Sequence, residues 1–108
     1  MPSVGRLRYL ETPAASERPR GTLVLLHAFP LNARMWEPQL AVDLSGWRII
    51  APQFRGFDAM GNEPEAASVE DYAGDIIDLL DALHVDDIVL AGLSMGGYVS
   101  FALFRHVA

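Results

Sequence analysis

Apolar residues recur along this chain in two rhythms, a period of two and a period near 3.6, and the rhythms alternate. Arg6-Leu-Arg-Tyr-Leu10 interleaves charge with apolar bulk, which predicts a half-buried edge strand, and Thr12 to Gly21 reads as a polar turn region. Thr22-Leu-Val-Leu-Leu26 is apolar at successive positions, as expected of a strand covered on both faces, and it ends at His27. Leu31 to Leu44 places Trp36, Leu40 and Leu44 at helical spacing, with Pro38 confined to a first turn. A third apolar run, Trp47-Arg-Ile-Ile-Ala51, is stopped by Pro52, and Gly56 to Pro64 has the composition of a long loop.

Ser68, three residues before Asp71, opens the clearest helix. Val69, Tyr72, Ala73, Ile76, Ile77, Leu80 and Leu83 follow at the 3.6 period, and Glu70, Asp71, Asp75, Asp78 and Asp81 form an outer face read as solvated. Asp86-Asp87 turns the chain into a fourth strand, Ile88 to Gly92, and Met95 to Val107 is again helical. Alternating strands and helices predict an α/β fold, a mostly parallel sheet flanked by helices, in a single domain over residues 1–108.

Composition narrows the partners. Eight arginines and no lysine stand against 14 acidic residues, for a net charge of −6. That balance repels a phosphate backbone, so no nucleic-acid partner is expected. The sequence holds no Cys, which excludes disulfides, thiolate metal sites and a Cys nucleophile. No apolar run approaches membrane-spanning length and no signal-peptide core is present. A cytoplasmic protein with no membrane partner, metal or cofactor is the resulting expectation.

The chemistry is concentrated in Gly92-Leu-Ser94-Met-Gly96-Gly97, which lies between a strand and a helix. A sharp strand-to-helix reversal at Ser94 needs the small residues Gly92, Gly96 and Gly97 around it and projects the hydroxyl from the sheet edge. The following helix start turns its free N–H groups toward developing negative charge, with the Met95 N–H as a first oxyanion donor. A second donor must come from a neighbouring strand end, and the loop His27-Ala28-Phe29-Pro30 offers the Phe29 N–H. The competing reading makes Ser94 a small residue packed at a tight turn.

Taken together, His27-Ala-Phe-Pro30, Pro52-Gln-Phe-Arg-Gly56 and Gly92 to Gly97 resemble the α/β-hydrolase superfamily, in that family's order, from about Arg6 to the last residue. The resemblance implies the N-terminal portion of such a fold, with Ser94 as nucleophile of a cofactor-free serine hydrolase acting on a small-molecule ester or lactone. The segment Phe29 to Gln39 looks like esterases, enol-lactonases and cofactor-free haloperoxidase relatives. Ala28 and Gln53 depart from the family pattern, standing where Gly and Asp are usual. Trp36 and Phe54 are the pocket candidates, whereas Tyr98 and Phe101 are read as core. Arg55 is read as a partly buried structural cation.

The resemblance places the triad acid and base after the nucleophile helix, and none of the 14 residues after Ser94 is acidic. His27 is read as a loop-positioning hydrogen-bonder, and His84 as a cap on the acidic helix. His106, 12 residues along a helix from Ser94, stands about 18 Å away at 1.5 Å per residue. The remainder of the fold is therefore expected either covalently or from a complementing chain, and the 108 residues alone are expected to be inactive and prone to associate through the fourth strand. A catalytically inactive binding or assembly module and a perhydrolase are the alternatives.

Overall fold

The computed structural model describes residues 2–5, 7–14, 20–29, 31–42, 44, 46–57 and 68–107, with the side chains of 106 and 107 set aside. Five strands form one sheet: β1 (Ser3–Val4), β2 (Leu7–Thr12), β3 (Gly21–Leu26), β4 (Trp47–Gln53) and β5 (Ile88–Gly92). Their order is β1-β2-β4-β3-β5, with β3 parallel to both β4 and β5, and β2 antiparallel to β1 and β4. The helices are α1 (Glu37–Leu40), α2 (Val69–Ala82) and α3 (Met95–Val107), with a 3-10 turn, Ala33–Trp36, before α1.

Side-chain alternation sorts the strands' apolar residues onto two layers. On one face Val24, Leu26, Ile50 and Tyr9 meet α2 and α3 through Tyr72, Ala73, Ile76, Leu79, Val99, Ala102 and Leu103. On the other, Leu25, Ile49 and Ala51 form a smaller cluster with Ala33, Trp36 and Leu40. The unbroken apolar runs of β3 and β4 are thus explained by a cover on each side.

Four expectations change. The helix over Leu31–Leu44 is instead the 3-10 turn followed by the short α1, with Pro38 in its first turn and no buried residue of its own. Strand β4 continues through Pro52 to Gln53. It can do so because the ladder to β3 ends at Val24↔Ile50, so no partner on that side misses the absent N–H. Strand β2 is not an edge strand, since β1 pairs with it through a turn at Gly5, whose φ is 58°. Asp75 does not belong to the solvated face of α2: its Oδ2 accepts from Arg55 Nε at 2.6 Å, with only 14% of the side chain exposed. The loop expected from Gly56 to Pro64 is described only as far as Phe57, and the rest lies outside the described residues.

Both ends of α2 have local causes. The Ser68 side chain accepts from the Asp71 N–H at 3.2 Å, satisfying a first-turn donor, and Glu70 and Asp71 face the positive end of the helix dipole. At the other end the Val85 N–H reaches the Leu80 carbonyl and the His84 N–H reaches that of Asp81, which is a Schellman closure. His84 caps through its backbone and takes the left-handed conformation, φ 56°, that glycine normally occupies. His84→Gly is therefore expected to stabilise the protein by about 0.5 kcal/mol, the relief of side-chain strain exceeding the added entropy of the unfolded chain. Urea unfolding of the two proteins measures the difference, and a loss of stability would contradict this account of the cap.

Candidate active site

The parallel pair β3 and β5 ends at one edge of the sheet, so the segments that follow them are neighbours. After β5, Leu93 donates its N–H to the Leu26 carbonyl at 3.2 Å, which ties the turn to the end of β3. Ser94 then takes a φ of 57°, a left-handed conformation costly for a residue with a side chain, and α3 begins at Met95. The turn closes through Gly96 N–H to Leu93 O at 3.0 Å and Gly97 N–H to Ser94 O at 2.9 Å. Ser94 is exposed at this position.

The glycines around it are not equivalent. A Cβ on Gly92 would overlap the Gly96 carbonyl and the Ser100 hydroxyl, and one on Gly96 would overlap the carbonyl of Leu26. Gly97 differs: a Cβ there would rest 3.7 Å from the Gly92 carbonyl, an ordinary contact, so Gly97 is not sterically required. Gly96→Ala pushes a methyl into backbone rather than into a movable side chain, with an expected cost of about 3 kcal/mol or more. Gly97→Ala is expected to be neutral or to stabilise by up to about 1 kcal/mol, since Ala is the better helix former. Thermal unfolding of the two variants side by side tests the contrast.

The segment after β3 is held from within. His27 is wholly buried, and its Nε2 accepts from the Phe54 N–H at 3.0 Å. That bond assigns the proton to Nδ1, which donates to the Ala28 carbonyl at 3.1 Å. Both ring nitrogens are thereby occupied, and the ring packs on Phe54 and Phe57 at centroid distances of 4.5 and 5.8 Å. Burial pushes the His27 pKa down from 6.5 to about 4, the backbone hydrogen bond to Ala28 opposing the shift. A neutral imidazole fixed at both nitrogens joins two loops.

The Ala28 N–H points to Met35 Sδ at 3.3 Å, and neither the Phe29 nor the Met95 N–H donates to an acceptor among the described residues. The Phe29 side chain is 60% exposed and leans edge-on against Phe57 at 5.6 Å. Gln53, at the end of β4, accepts from the Ala33 N–H at 3.0 Å and donates to the Phe54 carbonyl at 3.1 Å. The Arg55–Asp75 pair and a hydrogen bond from the Tyr72 hydroxyl to the Arg55 carbonyl, 3.2 Å, hold the segment that follows.

Both pocket candidates pack into the cores of this chain. Phe54 is 1% exposed in the main core, stacked between His27 and Tyr72, so it lines no open pocket. Trp36 packs into the smaller cluster on the opposite face of the sheet, and its buried indole N–H has no hydrogen-bond partner among the described residues. Tyr98 and Phe101, read as core, are exposed on α3 because the faces bearing Val99, Ala102 and Leu103 meet the sheet and α2. A cleft of about 840 Å³ runs along β5 between α2 and α3, lined by Ile77, Leu80, Leu90, Phe101 and Phe104, and Ser94 is not among its walls. Among the described residues no cluster of His, Cys, Asp or Glu has a metal-binding arrangement, and no helix is long and apolar enough to cross a membrane.

Residues 23–108 match the model of the alpha/beta hydrolase family. The chain belongs to that family. It superposes on a thermophilic esterase from Thermogutta terrifontis with a TM-score of 0.76 and 36% identity, covering 92% of this chain and 35% of that one. Epoxide hydrolase 2 of Siraitia grosvenorii is 35% identical over 77% of this chain, and 3-oxoadipate enol-lactonase 1 of Acinetobacter baylyi is 32% identical over 75%. The matches span 28% and 30% of those two relatives' lengths. Relatives with this N-terminal portion are thus named for hydrolysis of several bond types.

Sequence reasoning passed over Met35 and Phe57, read Asp75 as solvated, and took Gln53 only as a departure from the family pattern. Their partners lie on other elements, 7 residues away for Met35 and 20 for Gln53 and Asp75. The buried His27 also has a measurable signature. Its folded-state pKa lies below the unfolded value, so its contribution to stability is complete above pH 6.5 and is lost as pH falls toward 4. The loss is on the order of 3 kcal/mol. Chemical denaturation between pH 7 and 4 should show this slope in the wild type and a flatter one in His27→Gln, and equal slopes would contradict it.

Proposed function

We propose that this chain carries the nucleophile and both oxyanion donors of a serine hydrolase that acts on a carboxylic ester or lactone through an acyl-enzyme. The observation that carries the reading is Ser94 itself, an exposed residue held at φ 57° immediately before α3. The packing around the turn sustains this strain, and strain held at an exposed hydroxyl points to function. The N–H groups of Met95 and Phe29, neither with an acceptor among the described residues, are the two donors that the oxyanion formed in such a reaction requires. Esterase and enol-lactonase relatives favour an acyl substrate, and a serine oxygen is suited to acyl transfer.

In the proposed reaction Ser94 Oγ bonds to the carbonyl carbon while its proton passes to a histidine. The carbonyl π electrons move onto oxygen, where the Phe29 and Met95 N–H groups and the positive end of α3 receive the charge. Collapse expels the alcohol with that proton, leaving an ester on Ser94, and water attacks it by the same route to release the acid. Neither His27 nor His106 fits the base. Both nitrogens of His27 are engaged, and α3 runs unbroken from Met95 to Val107, which carries position 106 along the helix away from the turn. We assign the base and its carboxylate to chain elements that pack beyond β5, whose outer edge is unpaired among the described residues. The chain's coverage of about a third of its solved relative is consistent with that placement.

The test is covalent labelling of the full-length protein with a fluorophosphonate, followed by peptide mapping. One adduct on Ser94, lost in Ser94→Ala together with at least a thousandfold in ester hydrolysis, is the expected result. Absence of label under conditions that modify a control esterase would leave a binding or assembly module as the better reading.

A further inference from the structure

We infer that Gln53 is a positioning residue for the oxyanion loop, setting the direction of the Phe29 N–H from the far side of that loop. The role presupposes the acyl-transfer site proposed above, and it adds a residue that the sequence pattern treated only as a substitution. Residues 28–32 join the end of β3 to the 3-10 turn beginning at Ala33. Such a connection has many conformations unless both of its ends are fixed. Its entrance is fixed by His27, through the Phe54 N–H. Its exit is fixed by Gln53, whose Oε1 accepts from the Ala33 N–H at 3.0 Å while its Nε2 donates to the Phe54 carbonyl at 3.1 Å.

The two anchors share one residue. Phe54 gives its N–H to His27 and its carbonyl to Gln53, so the peptide groups on either side of a buried ring hold the two ends of the loop. Gln53 is itself buried, and each of its hydrogen bonds replaces water that neither partner can reach cheaply. The amide is suited to the position because it offers one acceptor and two donors, whereas an ionised carboxylate offers acceptors only and would face the Phe54 carbonyl without a proton. Between the anchors, Met35 takes up the Ala28 N–H, while the Phe29 N–H, like those of Leu31 and Asn32, has no acceptor among the described residues. A donor must lie within a few tenths of an ångström of its line to the oxyanion to be useful, and small displacements of such groups cost large factors in rate.

The experiment compares wild type, Gln53→Met and Gln53→Glu in the full-length protein. It follows amide exchange over residues 28–33, kcat and KM on a short-chain ester, and thermal unfolding. Gln53→Met keeps the length but offers Ala33 no comparable acceptor. Exchange in the segment is expected to rise at least about tenfold and kcat to fall about ten- to a hundredfold. KM should stay within about twofold, because the oxyanion contact forms in the transition state. Gln53→Glu retains an acceptor for Ala33 and is expected to recover most of the exchange protection and part of kcat. A merely structural role would lower the melting temperature without the split between kcat and KM.

Unchanged exchange in Gln53→Met, or faster exchange with kcat intact, overturns the inference. Should the Met variant not fold, Gln53→Glu decides alone: exchange faster than in wild type with kcat unchanged overturns the inference. Should wild type take no fluorophosphonate at Ser94, the acyl-transfer reading fails separately. The exchange data then still show whether Gln53 holds the loop.

Discussion

The first turn of α3 lies directly against the last carbonyl of β3, and the remaining geometry of the site follows from that contact. Gly96 leaves no side chain between helix and strand, so the Leu26 carbonyl sits where a Cβ would be, and the same carbonyl receives the Leu93 N–H. With the helix start fixed that close, the two residues between β5 and α3 must turn sharply, and Ser94 takes the left-handed conformation that this requires. The strain is sustained by the cores on both sides of the sheet. Val24 and Leu26 of β3 and Val99 of α3 are buried in the main one, so neither element can retreat.

A second constraint acts at right angles to the first, across the ends of β3 and β4. His27, Gln53 and the Phe54 backbone form a connected set of hydrogen bonds in which every polar atom of the two side chains has a partner. The penalty for charging the imidazole keeps His27 neutral, so the junction is rigid at neutral pH and weakens in acid. The adjoining Arg55–Asp75 pair, partly buried, fastens the next segment to α2. Two helices and two loops are thereby referred to one sheet edge, the condition for backbone donors to be aimed without help from mobile side chains.

Legibility in the sequence followed the range of the interactions. The elbow, the apolar strand β3 and the α2 cap are encoded within a few residues, and each can be read from Gly92 to Gly97, Thr22 to Leu26, and Ser68 to Asp71. The short α1 could not, because Leu40 and Leu44 keep helical spacing while Thr12, remote in sequence, takes the Leu40 carbonyl with its hydroxyl at 2.6 Å. Pro52 marked a strand end by its chemistry, yet β4 runs past it because only the antiparallel neighbour continues there. Phe54 looked like a pocket wall since aromatic residues at strand ends can face either way, and the choice was made by Tyr72 on α2. Asp75 was hidden among four other acidic residues on its helix, and only the fold brings Arg55 beside it.

The proposed activity requires that Ser94, held in its strained turn, act as a nucleophile. Rapid mixing of the full-length protein with excess p-nitrophenyl acetate, followed by acid quenching and mass analysis of the peptides, tests it most directly. A burst of p-nitrophenol close to one equivalent per protein and a single acetyl group on the Ser94 peptide are expected, both absent in Ser94→Ala. Turnover without any acylated Ser94, or an acyl group on another residue, would contradict it.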